Sequence, residues 1–178
     1  MKFATVLLPA LLAMGALPGP AQTSLKDSLI KHWKTTGEFT LAVANLMPAD
    51  DYKFKPVPQE LSFGQVMVHI AAANVNACAT ASGMERPATP PALTAALKDP
   101  KGEVDKNSAV EFLTATFSFC DKAVASMTPD KMDAVVGETR KMTGFEWLWS
   151  YFTHTAHHRG QAEVYLRLKG ITPPRYVF

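Results

Sequence analysis

Four stretches of this chain carry apolar side chains at intervals of three and four over roughly twenty positions each, the repeat that covers one face of an α-helix. The first, Ser24 to Met47, sets Leu25, Leu29, Trp33, Thr36, Phe39, Val43 and Leu46 on one stripe, and Pro48 stops it. The second opens at Ser62-Phe63-Gly64-Gln65, where Ser62 can accept from the Gln65 amide while the Gln65 side chain reaches back. Phe63, Met67, Ile70, Asn74 and Cys78 then share a face as far as Ser82, and Gly83 ends the segment. Ser108-Ala109-Val110-Glu111 has the same capping pattern and opens the third, in which Val110, Leu113, Phe117, Cys120 and Val124 lead to Met127. Thr128-Pro129-Asp130 predicts one short extra turn. The fourth starts at Thr143-Gly144-Phe145-Glu146 and ends near Lys169, with Gly170 and Pro173-Pro174 beyond.

No stretch alternates apolar and polar residues convincingly as a half-buried strand does, so the fold class is all-α. An amphipathic helix cannot hide its stripe alone, and four of them packed around one core make a four-helix bundle. The stripes do not specify which helix packs on which. Roughly 25 residues, among them Pro87, Pro90, Pro91 and Pro100, separate the second and third helices. That exceeds a usual bundle connection and predicts a long, loop-like crossover joining helices that are parallel or not adjacent. At 178 residues the chain makes one domain, able to bury a core without a metal or disulfide being essential to folding.

The N-terminus reads differently. Met1-Lys2, an apolar run from Phe3 to Leu17, and Pro18-Gly19-Pro20-Ala21 fit a signal peptide at residues 1–21, with the bundle domain at 22–178. The apolar run is too short to span a bilayer, so no stable membrane span is expected after cleavage. The expected location is periplasmic or secreted. Without Lys2 the 18 basic residues become 17 against 16 acidic ones, and no basic stripe stands out, so nucleic acid is not an expected partner. Cys78 and Cys120 are the only cysteines, each in an apolar helical stretch. An oxidising compartment would allow them to pair, and burial as two small hydrophobes is the alternative.

Three of the five histidines fall in Tyr151-Phe152-Thr153-His154-Thr155-Ala156-His157-His158-Arg159-Gly160-Gln161. Residues four apart on a helix lie about 40° apart in azimuth and one turn apart in height, so His154 and His158 can converge on one ion. His157 competes at three-residue spacing. His69, inside the apolar run Val66-Met67-Val68-His69-Ile70-Ala71 of another helix, is the best third ligand, because burying an unpartnered imidazole costs free energy. Each feature has an ordinary alternative, a hydrogen-bonded core residue for His69 and a solvated face for the cluster. Together they point to a metal site built from facing helices. His32, beside Trp33, reads as a packing or surface histidine. Tyr151 and Gln161 lie near the azimuth of the ligands and are candidates to orient them or a substrate, or else belong to ordinary bundle packing. Arg159 could hold a substrate carboxylate, although an arginine so placed more often ties helices together. The chain lacks His-Glu-x-x-His and any Cys-x-x-Cys pair, which disfavours zinc-protease chemistry and a thiolate zinc site.

Leu61-Ser62-Phe63-Gly64-Gln65 leading to His69, together with His154-x-x-x-His158-Arg159-Gly160-Gln161, resembles the DinB family of damage-inducible proteins. The likeness extends over nearly the whole mature chain, from Tyr52-Lys53-Phe54-Lys55-Pro56 to Leu166-x-Leu168-Lys169-Gly170 and the prolines after it. It implies the family's four-helix bundle, a divalent metal held by His69, His154 and His158 with His157 at a variable position, zinc or nickel as the ion, and frequent homodimers. Characterised relatives include transferases and isomerases that use low-molecular-weight thiols. The implied activity is therefore that of a metal-dependent transferase or hydrolase acting on a small molecule, with a non-catalytic metal-binding or structural bundle as the alternative. Export is a departure, since thiol-using relatives work in the cytoplasm.

Overall fold

The structure, a computed structural model, describes residues 24–98 and 102–177; the leader expected at residues 1–21 lies outside them. Helix α1 spans Leu25–Leu46, with the Ser24 side chain accepting from the Asp27 amide at its start. After a single 3-10 turn at Ala49–Asp51, α2 spans Phe63–Ser82. Ser62 and Gln65 cap it reciprocally: the Gln65 amide donates to Ser62 Oγ at 3.2 Å and the Ser62 amide to Gln65 Oε1 at 2.8 Å. Gly83, left-handed at φ +73°, closes it with its N–H on the Ala79 carbonyl.

The structure departs from the sequence reading at four points. A helix, α3 at Pro91–Lys98, lies inside the expected loop. Proline suits the first helical position, where its missing N–H has no partner to lose, and buried Leu93 anchors the turn against α2. Helix α4 spans Lys106–Ala125 and is capped by Asp105, which accepts from the Ser108 amide at 2.9 Å, so Ser108 sits in the first turn and not at the cap. That amide bond holds the Asp105 carboxyl below the ordinary carboxylate range. The extra turn at Thr128 forms as α5, Pro129–Asp133. It is followed by a small antiparallel hairpin, β1 (Val135–Val136) and β2 (Met142–Thr143), whose two-residue strands are too short to show alternation. Helix α6, Gly144–Leu168, begins with the expected reciprocal cap between Thr143 and Glu146. The stripe of α1 holds from Leu29 to Val43, whereas Leu25 and Leu46 at its ends are exposed.

In the bundle α1 and α2 each pack chiefly against α4 and α6, so α1 sits diagonally across from α2 and α4 diagonally across from α6. Side-chain contacts set the directions. Gln65 near the start of α2 donates to Gly102 O just before α4, and Cys78 and Cys120 meet near the far ends, so α2 and α4 run parallel. Tyr165 late in α6 donates to Leu61 O just before α2, so those two run antiparallel. Lys106 Nζ at the start of α4 donates to the Asn45 and Met47 carbonyls at the end of α1, which makes that pair antiparallel as well. The connection from Gly83 to Asp105 is therefore a crossover between neighbouring parallel helices, and it must return the length of the bundle.

Cys78 and Cys120 form a disulfide with a Cα separation of 5.4 Å, and both are fully buried. The core has two apolar clusters, one around Phe63, Met67, Leu113 and Leu166, the other around Trp33, Cys78, Met127 and Leu148. Buried Asn74 donates from Nδ2 to Thr155 Oγ1 at 2.9 Å, which pins α2 to α6 beside His154. Thr155 Oγ1 has a second partner in the Tyr151 carbonyl at 2.9 Å, so it is the buried Asn74 amide that depends on the pairing, and leaving it without a partner would forfeit about 1–3 kcal/mol.

Candidate metal centre

Position 69 falls in the first half of α2, and positions 154 and 158 flank the middle of α6. The antiparallel pairing of these helices brings them to the same height. His69 Nε2 and His158 Nε2 each lie 3.1 Å from His154 Nε2. The three ligand atoms all fall within 4.8 Å of one another. A tetrahedral ion with Zn–N bonds of about 2.0–2.1 Å needs its imidazole nitrogens roughly 3.3 Å apart, so the spacing is close to what such an ion requires.

Gln161, one turn beyond His158, meets its ring from the other side: His158 Nδ1 lies 2.7 Å from Gln161 Oε1. A carbonyl oxygen can only accept, so Nδ1 carries the proton and Nε2 presents a bare lone pair to the cluster. Two bare nitrogens at 3.1 Å repel unless a proton or a cation lies between them. All three imidazoles also resist protonation. Burial, then the neighbouring His158, His69 and His157, push the His154 pKa down to about 4. Burial and His158 lower His69, and burial lowers His158 against the opposing hydrogen bond to Gln161. With protons disfavoured, the donor set is suited to a metal cation, and among the described residues no fourth ligating side chain joins the three.

The remaining candidates separate. Tyr151 lies with its ring centroid 5.5 Å from that of His154, and it stacks on Trp147 at 5.6 Å. This packing holds the His154 ring, whose buried Nδ1 has no hydrogen-bond partner among the described residues. His157 is exposed and stands outside the converging group. Arg159 does not face the histidines. One residue past His158 is a rotation of about 100°, which turns it toward α1. There its Nη1 donates to Thr36 Oγ1 at 2.6 Å, and its guanidinium covers the Phe39 ring at 4.3 Å. Of the two readings of Arg159, helix tying is the one these contacts make; it is 6% exposed. His32 packs edge-on against Phe152. Sequence reasoning missed the role of Asn74 and Thr155, although a polar residue inside the apolar stripe of α2 was the available signal.

The sequence matches the model of the DinB superfamily over residues 32–162. Among solved structures, a DinB-like protein from Bacillus subtilis shares 22% identity with a TM-score of 0.64, covering 84% of this chain and 96% of that one. A DinB-like protein from Bacillus cereus gives 18% identity and 0.68, covering 85% and 97%. YfiT from Bacillus subtilis, described as a probable metal-dependent hydrolase with an unusual four-helix bundle topology, gives 15% and 0.64, covering 89% and 97%. At these identities the likenesses establish the fold. No curated protein matches the chain.

Proposed function

The chain belongs to the DinB superfamily, and from that membership and the converging imidazoles we propose that His69, His154 and His158 hold one divalent metal ion in an exported enzyme that hydrolyses or transfers groups on a small molecule. The observation that carries this reading is the meeting of three Nε2 atoms, one with its tautomer set by Gln161. The description of YfiT as a probable metal-dependent hydrolase supports the same chemistry on the same fold. When bound, a divalent ion with three neutral imidazoles supplies a Lewis acid that can lower the pKa of bound water to about 7 or favour a thiolate. The chain contributes the rest: the histidines bind, Gln161 orients His158, and the Asn74–Thr155 pair keeps α2 and α6 at the separation the site needs.

Zinc and nickel are the proposed ions, and imidazole ligands suit both. Export is supported by the leader pattern before residue 22 and by the buried disulfide, a bond that persists in oxidising compartments. Calorimetric titration with zinc and nickel tests the site. His158→Ala should abolish tight binding and His157→Ala should spare it, and equal losses would overturn the assignment. Elemental analysis of natively purified protein, followed by hydrolase and thiol-transfer assays, tests the activity. A protein that carries metal but turns over nothing in either assay would favour a structural role for the ion.

A further inference from the structure

A cleft of about 1070 Å³ opens beside the histidines, between α2, α6 and the tip of the hairpin. On α2 its wall is Asn76 and Thr80, which continue the line from His69 at intervals of seven and four. On α6 it is Trp147 and Tyr151, which stand at intervals of four and three before His154. Cleft and histidines therefore share one groove. Its aromatic side is continuous, since Trp147 stacks on Tyr151 at 5.6 Å and Tyr151 reaches the His154 ring at 5.5 Å.

The hairpin supplies the outer wall and its charge. Arg140 and Lys141 in the tip and Arg86 after α2 face the cleft with a single acid, Glu138. None of the three cations is in an ion pair among the described residues. The tip is held in place: Trp147 Nε1 donates to Val136 O at 3.2 Å, and Gly137, at φ +99°, lies so close that a Cβ there would run into the Arg140 carbonyl and the Trp147 ring. Such a turn needs glycine. A wall of net positive charge is thus fixed over an aromatic floor. Its distance from the histidines follows from helix rise: the seven residues from Trp147 to His154 advance about 10 Å, as do the seven from His69 to Asn76.

From this juxtaposition we infer that the cleft binds the anionic end of the substrate, a carboxylate or phosphate carried about 10 Å from the group that reaches the histidines. This rests on the proposed metal site for the identity of the reacting end only. The substrate class is an elongated small anion with an apolar or aromatic middle. A neutral molecule of the same length would leave the arginines uncompensated, and a cation would be repelled.

The test uses the metal-free folded protein, so that no anion is held by the ion itself. Inorganic phosphate and succinate are titrated separately at constant ionic strength while the Trp147 indole N–H is followed by nuclear magnetic resonance. Saturable binding of either anion is expected, the stronger of the two naming the headgroup. The exposed pair Arg86→Gln and Arg140→Gln should weaken it at least about tenfold while zinc affinity stays unchanged, consistent with the loss of charge-assisted hydrogen bonds. His158→Ala should lose zinc and keep the anion, which separates failure of the metal reading from failure of this one. A linear, non-saturating response to both anions, or binding indifferent to the two glutamine substitutions, would overturn the inference.

Discussion

Replacing both Cys78 and Cys120 by alanine should lower the stability of the protein by about 4 kcal/mol, a figure that follows from where the bond lies in the chain. The two residues are 42 apart, and closing a loop of that length removes about 13 cal/mol/K of entropy from the unfolded chain on the chain-entropy account. For a domain of this size that is a fall in Tm of about 8–16 °C. Loss of two fully buried sulfur atoms adds a smaller cavity cost. The loop enclosed by the disulfide contains the whole crossover from α2 to α4, so without the bond the two parallel helices depend on packing alone for their register. Urea unfolding followed by circular dichroism, under oxidising and reducing conditions, provides the assay. The midpoint should fall while the slope m rises, because an uncrosslinked unfolded chain exposes more surface. Reductant should destabilise the native protein and leave the double variant unchanged. A variant melting within about 2 °C of the native protein, or one as sensitive to reductant as the native protein, would refute the reasoning.

Gln161→Leu should weaken zinc affinity by about 10–100-fold without unfolding the bundle, because it removes the acceptor that sets the His158 tautomer; titration calorimetry reads this directly. The metal-free protein should lose stability as the pH falls from 6.5 toward 4. The unfolded His154 protonates near 6.5 and the folded one only at about 4, so the unfolded state binds protons first in that window. Screening of the part-exposed ring limits the effect to the order of 2 kcal/mol, and His154→Gln should flatten that part of the pH profile in denaturant titrations. Arg159→Met should cost about 1–3 kcal/mol, since Thr36 loses its partner, while leaving metal affinity untouched; a drop in affinity would place Arg159 in the site after all.

The features legible in the sequence are those encoded within a few neighbouring residues. The caps at Ser62 and Thr143 were readable because donor and acceptor sit three positions apart in one turn. The same rule misplaced the start of α4, because Asp105 competes for the amide of Ser108 and wins it. The convergence of His154 and His158 follows from their spacing of four, and proline at a helix start explains why a stretch that looked like loop holds α3. An apolar stripe tells which face is buried but not against what. The diagonal placement of α1 and α2, the parallel run of α2 with α4, and the partner of Cys78 therefore waited for the packed bundle. What Arg159 meets on the side to which helix rotation turns it, the Thr36 hydroxyl on a helix 123 residues away in sequence, was likewise decided by packing. Sequence alone determined that there would be four long amphipathic helices with two histidines on one face of the last, since helix geometry is local. Only tertiary structure decided that His69 would stand at their height and that a basic cleft would open beside them, since both depend on how antiparallel helices slide to satisfy Asn74, Thr155 and the core on either side.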